Sequence, residues 1–166
     1  MKAVIMAGGE GSRLRPLTCD IPKPMVHLCG KPAICYILDL LARHSVTEAA
    51  VTVRYLAGSI VSYFDSGEYN GIHLNFSEET SPLGTAGSVK NAVDSDDGTF
   101  IVISGDALCD IDLTAAVLQH RQTGADATII VTRVADPREY GLVSFDSDMV
   151  VTGFIEKPGW TQASTD

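Results

Sequence analysis

Positive charge is scarce in this 166-residue chain: 12 lysines and arginines stand against 21 aspartates and glutamates, a formal net charge of −9. Nucleic acid and acidic membrane surfaces recruit basic protein faces, so neither is expected as a main partner. Long apolar runs are missing as well. None approaches the roughly 18 residues that span a bilayer, and the run after Lys2 is too short for a signal peptide and lacks its small-residue cleavage site. A cytoplasmic protein is the expectation. Cys19, Cys29, Cys35 and Cys109 form no C-x-x-C pair, and His27, His44, His73 and His120 fall in no zinc spacing, which argues against thiol or zinc chemistry. There is no repeat, linker or low-complexity segment. The composition, 45% hydrophobic and 20% charged, is ordinary for one globular domain with a sizeable core.

What the chain does have is concentrated in residues 6–24. A short apolar run, 3–6, reads as a buried strand, and Gly8, Gly9 and Gly11 follow it in a turn. Glycine permits positive φ and close approach of a ligand to the backbone, and bare N–H groups in such a turn cradle an anion. Arg13 and Arg15 come next, and Lys23 sits between Pro22 and Pro24, which hold its backbone extended. This set suits a polyphosphate. Two common phosphate loops are ruled out: G-x-G-x-x-G requires glycine where Leu14 stands, and the P-loop requires lysine where Arg13 follows Gly11-Ser12. Pro16, Pro22 and Pro24 oppose a helix directly after the turn. The loop is therefore expected to act through its own amides with Arg and Lys.

Further along, Pro32 suits the first residue of a helix carrying apolar residues at 34, 37, 38 and 41 and ending near His44. Residues 49–53 read as a second strand, 60–64 as a short helix closed by Gly67, and 72–76 as a third strand. A Pro/Gly-rich loop then feeds a helix of about ten residues from near Thr85, which would cap it. Residues 94–97 read as a solvated acidic loop. Residues 100–103 form a continuous apolar run, expected to be a central strand buried on both faces. It delivers Ser104-Gly105-Asp106, and a carboxylate at the carboxyl end of such a strand stands where open α/β sheets hold ligands. Asp110 and Asp112 are weaker candidates, Asp112 reading as the cap of a helix over 113–122. Residues 127–131 read as another buried strand, and 140–143 with 150–155 as a hairpin around Asp146-Ser147-Asp148. The alternation predicts one doubly wound, Rossmann-like α/β domain over 1–166 with a mixed, mostly parallel sheet.

Gly8-Gly9-Glu10-Gly11-Ser12-Arg13-Leu14-Arg15-Pro16-Leu17-Thr18 followed by Ile21-Pro22-Lys23-Pro24 resembles the opening of the sugar-1-phosphate nucleotidyltransferases, or nucleotide-sugar pyrophosphorylases. The resemblance runs to about Pro158. It implies attack by a sugar 1-phosphate on the α-phosphorus of a nucleoside triphosphate, with release of pyrophosphate. By the same resemblance, Met6 and Ala7 would contact the nucleotide, Gly8, Gly9, Gly11 and Ser12 would cradle its phosphates, Arg13 would stabilise the departing pyrophosphate and Lys23 would contact the α-phosphate. Gly84, Thr85 and Gly87 of Pro82-Leu83-Gly84-Thr85-Ala86-Gly87 would lie at the base. Asp106 would hold Mg2+, and Gly141, Glu156 and Lys157 the sugar phosphate.

Ile21-Pro22-Lys23-Pro24-Met25, the Pro-Leu-Gly-Thr-Ala-Gly segment and Asp110-Ile111-Asp112 look most like mannose-1-phosphate guanylyltransferases, which make GDP-mannose from GTP and mannose 1-phosphate. Glucose-1-phosphate thymidylyl- and uridylyltransferases share much of the pattern and stay open. So does a non-catalytic subunit that senses a nucleotide sugar, although the full set of Arg13, Lys23, Asp106 and Lys157 argues against it. Family members continue with more of the sugar pocket and a second metal-binding aspartate, so the chain is expected to be an amino-terminal portion whose open sheet edge leaves room for a homo-oligomer.

Overall fold

The computed structural model describes residues 1–94 and 98–159. They fall into two compact units, Met1–Ala115 and the described part of Ala116–Asp166. In chain order the first contains β1 (Lys2–Met6), β2 (His27–Leu28), β3 (Lys31–Pro32), α1 (Ala33–Arg43), β4 (Glu48–Val53), α2 (Ala57–Tyr63), β5 (Glu68–Tyr69), β6 (Ile72–Glu78), α3 (Gly84–Ala92) and β7 (Phe100–Ser104). Helix α4 (Leu113–Thr123) runs into the second unit, which holds β8 (Gly141–Phe145) and β9 (Val151–Glu156).

Five strands form a sheet in the order β5-β6-β4-β1-β7. The pairs β1–β4, β1–β7 and β4–β6 are parallel and the two-residue β5 is antiparallel to β6, giving the expected mixed, mostly parallel α/β arrangement. Register positions the site. Met6 stands opposite both Thr52 and Ser104, so three strands end level and their loops leave side by side. The Ala7 N–H donates to Thr52 O at 3.0 Å and the Gly105 N–H to Met6 O at 2.9 Å, carrying the ladder one step past β1 on each side.

The apolar stripe of α1 closes the core. Ile34, Ile37, Leu38 and Leu41 recur at helical spacing, are buried, and pack in one cluster with Ala3, Ile5, Val51, Val53, Ile72 and Leu74. Val4, which alternation turns away from Ala3 and Ile5, is buried too, and α3 packs across β1 and β4. Asp112 caps α4 as expected, its Oδ1 accepting the Ala115 N–H at 2.9 Å. In the second unit β8 and β9 form the expected antiparallel hairpin. Asp146 fixes its turn by accepting the N–H groups of Asp148 and Val150, both at 3.0 Å.

Several expectations are corrected. Strand β7 is real but not central: it pairs with β1 alone at the end of the sheet, and Val102 is 43% exposed. An apolar run does not distinguish a central strand from an edge strand, because both need one buried face. Residues 127–131 belong to no strand, and Ile129, Ile130 and Val131 are each nearly half exposed. Their β-branched composition favours extended chain, but a strand exists by pairing, and this segment has no partner strand among the described residues. Thr85 is not a cap: Leu83 holds that position of α3, without a side-chain hydrogen bond. Pro32 caps α1 rather than opening it. Of the acidic stretch 94–97, residues 95–97 lie outside the described residues.

Leu38 is fully buried against the sheet. Leu38→Ala should therefore destabilise the chain by roughly 2–5 kcal/mol, read as a lower urea midpoint at unchanged slope. A change under about 0.5 kcal/mol would place the α1 stripe outside the core.

Candidate active site

Strand β1 hands the chain to the glycine turn, and of its three glycines only Gly11 takes positive φ, +61°. Its conformation is demanded twice. A Cβ on Gly11 would lie 3.0 Å from Lys23 Cβ and 3.2 Å from Thr18 Cγ2. Gly8 instead packs close to Arg54, and Gly9 faces open space, so the expectation of positive φ holds for one position of three. Thr18 is fully buried and donates through Oγ1 to Gly11 O at 2.8 Å. The Tyr55 hydroxyl, shared between Thr18 O at 3.0 Å and Cys19 O at 2.9 Å, holds the returning loop from outside. No α-helix follows the turn; two single 3-10 turns, Ser12–Leu14 and Lys23–Met25, do.

Held this way, the turn leaves its own donors free. The N–H groups of Gly8, Gly9, Glu10 and Gly11 have no protein acceptor among the described residues. The cleft beside them, about 250 Å³, is lined by Met6, Ala7, Gly9, Gly11, Ser12 and Arg13, and across from these by Lys23, Ser104 and Asp106. The two arginines of the motif part company. Arg15 lies 3.7 Å from Glu10, whose other oxygen lies 3.6 Å from Arg54. Arg13 lines the cleft with no ion pair among the described residues, and its cation is available to an anionic ligand.

Asp106 stands across the cleft because Gly105 lets the chain turn tightly at the end of β7. A Cβ there would lie 3.3 Å from Met6 O and 3.4 Å from Ile5 Cγ2. Ser104 Oγ donates to Asp106 Oδ1 at 2.5 Å, and the Lys23 ammonium forms an ion pair with Oδ2. Burial alone pushes the Asp106 carboxyl up, but the hydrogen bonds from Lys23 and Ser104, with the lysine's charge, outweigh it and hold the group below the ordinary carboxylate value. Asp106 is therefore ionised at neutral pH. Among the described residues no group of three or more His, Cys, Asp or Glu could enclose a metal. One ionised carboxylate across a cleft from unpaired amides nevertheless fits magnesium, which binds through one or two carboxylates and completes its shell with water and substrate oxygens.

Gly8, beside Arg54, and the remaining expected residues are not among those that line this cleft. Gly84, Thr85 and Gly87 open α3 and are exposed or half-buried. In the second unit, Gly141 pairs in register with Glu156, a Cβ on Gly141 would lie 3.2 Å from Glu156 Oε2, and the Lys157 N–H donates to Tyr140 O at 3.0 Å. The hairpin thus brings the three expected sugar-phosphate residues together.

Four residues with a bearing on the site were not singled out from sequence: Thr18, Tyr55, Ser104 and Glu79. Thr18 and Ser104 sat beside marked residues, but a hydroxyl's partner is invisible without the fold. Glu79 stands at the start of the Pro/Gly-rich loop, where sequence alone gives it no role. It is 7% exposed, and its Oε1 is the one buried side-chain polar atom without a hydrogen-bond partner among the described residues. That oxygen lies 3.7 Å from where a Cβ of Gly8 would stand.

Comparison with known proteins adds to this geometry. A family described as nucleotidyl transferase matches residues 2–165. A UTP–glucose-1-phosphate uridylyltransferase of Synechocystis sp. is 41% identical over 98% of this chain and 46% of its own length. The mannose-1-phosphate guanylyltransferase catalytic subunit beta of Drosophila pseudoobscura pseudoobscura is 37% identical over 95% and 43%. The chain thus spans less than half the length of these curated relatives. Among solved structures, HddC from Yersinia pseudotuberculosis complexed with GMP-PN superposes with a TM-score of 0.76 at 33% identity, covering 94% of this chain and 69% of that one. A glucose-1-phosphate thymidylyltransferase, described as putative, from Bacillus anthracis gives 0.85 at 25% identity, covering 95% and 65%.

The glycine turn makes a graded prediction. Gly11→Ala should cost about 1–2 kcal/mol of stability through its left-handed backbone alone, and Gly9→Ala no more than about 0.5 kcal/mol. Urea unfolding of both variants checks this; equal losses would contradict the loop geometry.

Proposed function

The chain belongs to the nucleotidyl transferase family, and from that premise we propose that it acts in the cytoplasm in transferring a nucleotidyl group from a nucleoside triphosphate to a sugar 1-phosphate, with release of pyrophosphate. The observation that carries this reading is the cleft: the Gly9 and Gly11 amides, with no acceptor among the described residues, and Arg13 on one side, Lys23 and an ionised Asp106 on the other. A cradle of that kind accepts a triphosphate tail.

The attacking group needs no general base, since a phosphate monoester with a second pKa of about 6 is already largely dianionic at neutral pH. The protein's task is alignment and charge. The turn's N–H groups hold the β- and γ-phosphates, Arg13 neutralises the departing pyrophosphate, and Lys23 steadies the α-phosphate. In the second unit Gly141, Glu156 and Lys157 take the sugar phosphate, Lys157 by charge and Glu156 through sugar hydroxyls. Asp106 would hold the magnesium ion, which when bound supplies positive charge to the phosphate oxygens.

For the base, the guanylyltransferase relatives and the GMP-PN of the solved HddC structure support guanine, so GTP with mannose 1-phosphate is the pair we propose. The 41% identity to a uridylyltransferase keeps UTP with glucose 1-phosphate as the second reading.

A pyrophosphate-release screen of GTP, UTP, dTTP and ATP against mannose, glucose and N-acetylglucosamine 1-phosphates, run on the full-length protein, should give the fastest release with GTP and mannose 1-phosphate. Faster release with UTP and glucose 1-phosphate would move the assignment to the second reading; none from any pair would favour a nucleotide-sugar sensor. For the active pair, Arg13→Ala should lower kcat by on the order of 10²-fold or more, with little change in sugar-phosphate KM.

A further inference from the structure

Both oxygens of Asp106 are engaged from within the chain, and the two partners differ in kind. Ser104 lies two residues back at the end of the same strand, and its hydroxyl on Oδ1 fixes the orientation of the carboxylate. Lys23 reaches Oδ2 from the Pro22-Lys23-Pro24 segment on a flexible four-carbon stem, with 39% of its side chain exposed. Its backbone is the firm part: Pro24 and Met25 of the 3-10 turn are buried, and Pro22 at the turn's N-cap is extended. The ammonium can therefore leave Oδ2 by side-chain rotation alone.

We propose that Lys23 is a built-in competitor of the divalent metal at Asp106, so that the metal gains this carboxylate only when a triphosphate draws the ammonium away. The proposal rests on the preceding reading of Asp106 as the metal carboxylate. With Lys23 in place, a dication approaching Oδ2 meets a like charge at contact distance and finds one carboxylate where magnesium needs several oxygens. A triphosphate changes both conditions at once. Its oxygens give Lys23 a different acceptor and give the metal its missing ligands, so metal and nucleotide enter together. Lysine suits this exchange better than arginine, because a point charge on a flexible stem moves between acceptors, whereas a guanidinium fork would hold the carboxylate by two bonds.

The test is Mn2+ binding to the chain without nucleotide, followed by electron paramagnetic resonance of free Mn2+, with circular dichroism confirming that each variant is folded. Lys23→Met should tighten Mn2+ binding by about tenfold, the scale expected for one opposing charge at a partly exposed carboxylate. Lys23→Arg, which keeps a cation at the position, should stay within about threefold of wild type. Adding Asp106→Asn to Lys23→Met should cancel the gain. Unchanged affinity in Lys23→Met, or a gain that survives Asp106→Asn, overturns the competition. The parent reading is tested apart from it: if Asp106→Asn leaves Mn2+ binding unaltered in the presence of a nonhydrolysable GTP analogue, Asp106 is no metal ligand at all. Loss in that arm without a gain in Lys23→Met strikes only the role given to Lys23.

Discussion

The parallel pairing of β1 with a strand on each side is the constraint on which the rest depends. Because Met6 lies level with Thr52 and Ser104, the glycine turn and the Asp106 turn must leave the sheet next to each other. A one-residue slip would turn Ala3 and Ile5 away from α1 and move Asp106 off the cleft, so core and site share one register. The close fit of Gly105 against Met6 O and Ile5 Cγ2 ties the two turns further, because no side chain could stand between them.

Upon that frame the chain distributes few cations with care. Glu10 occupies Arg15 and Arg54, while Arg13 at the turn makes no ion pair among the described residues. Lys23 meets the carboxylate across the cleft. In a protein of net charge −9, any attraction of a polyanion, as proposed, would be local, from backbone donors and two side chains within one small concavity. Thr18 and Tyr55 contribute nothing to that charge. They hold the loop in a shape in which the N–H groups of Gly8, Gly9, Glu10 and Gly11 have no acceptor among the described residues.

Most of the frame was legible in the sequence. The i, i+3, i+4, i+7 spacing of 34, 37, 38 and 41 found α1, and the valine-rich alternation of 49–53 found β4, because burial of one face dictates both patterns. Gly9, Gly11, Arg13, Lys23 and Asp106 were marked by residue type and by position after strands, and the fold gathers them into one cleft, with Gly8 left beside Arg54. What escaped was pairing. Residues 127–131 have the composition of a strand and 100–103 that of a central one, yet hydrogen-bond partners and neighbours decide such matters, and neither is written locally. The same holds for Glu79, whose burial comes from the strands around it and not from its acidic neighbours, and for the hydroxyls of Thr18 and Ser104.

The central claim is that the turn after β1 receives a triphosphate through its own amides, facing Asp106. Amide chemical shifts of the 15N-labelled chain, titrated with GTP and magnesium, test it most directly. The largest changes should fall on Gly8, Gly9, Glu10 and Gly11, with Arg13, Lys23 and Asp106 following, and with the α1 core unmoved. Saturable binding whose shifts lie elsewhere, or no shift at those four amides at millimolar GTP, would contradict the account.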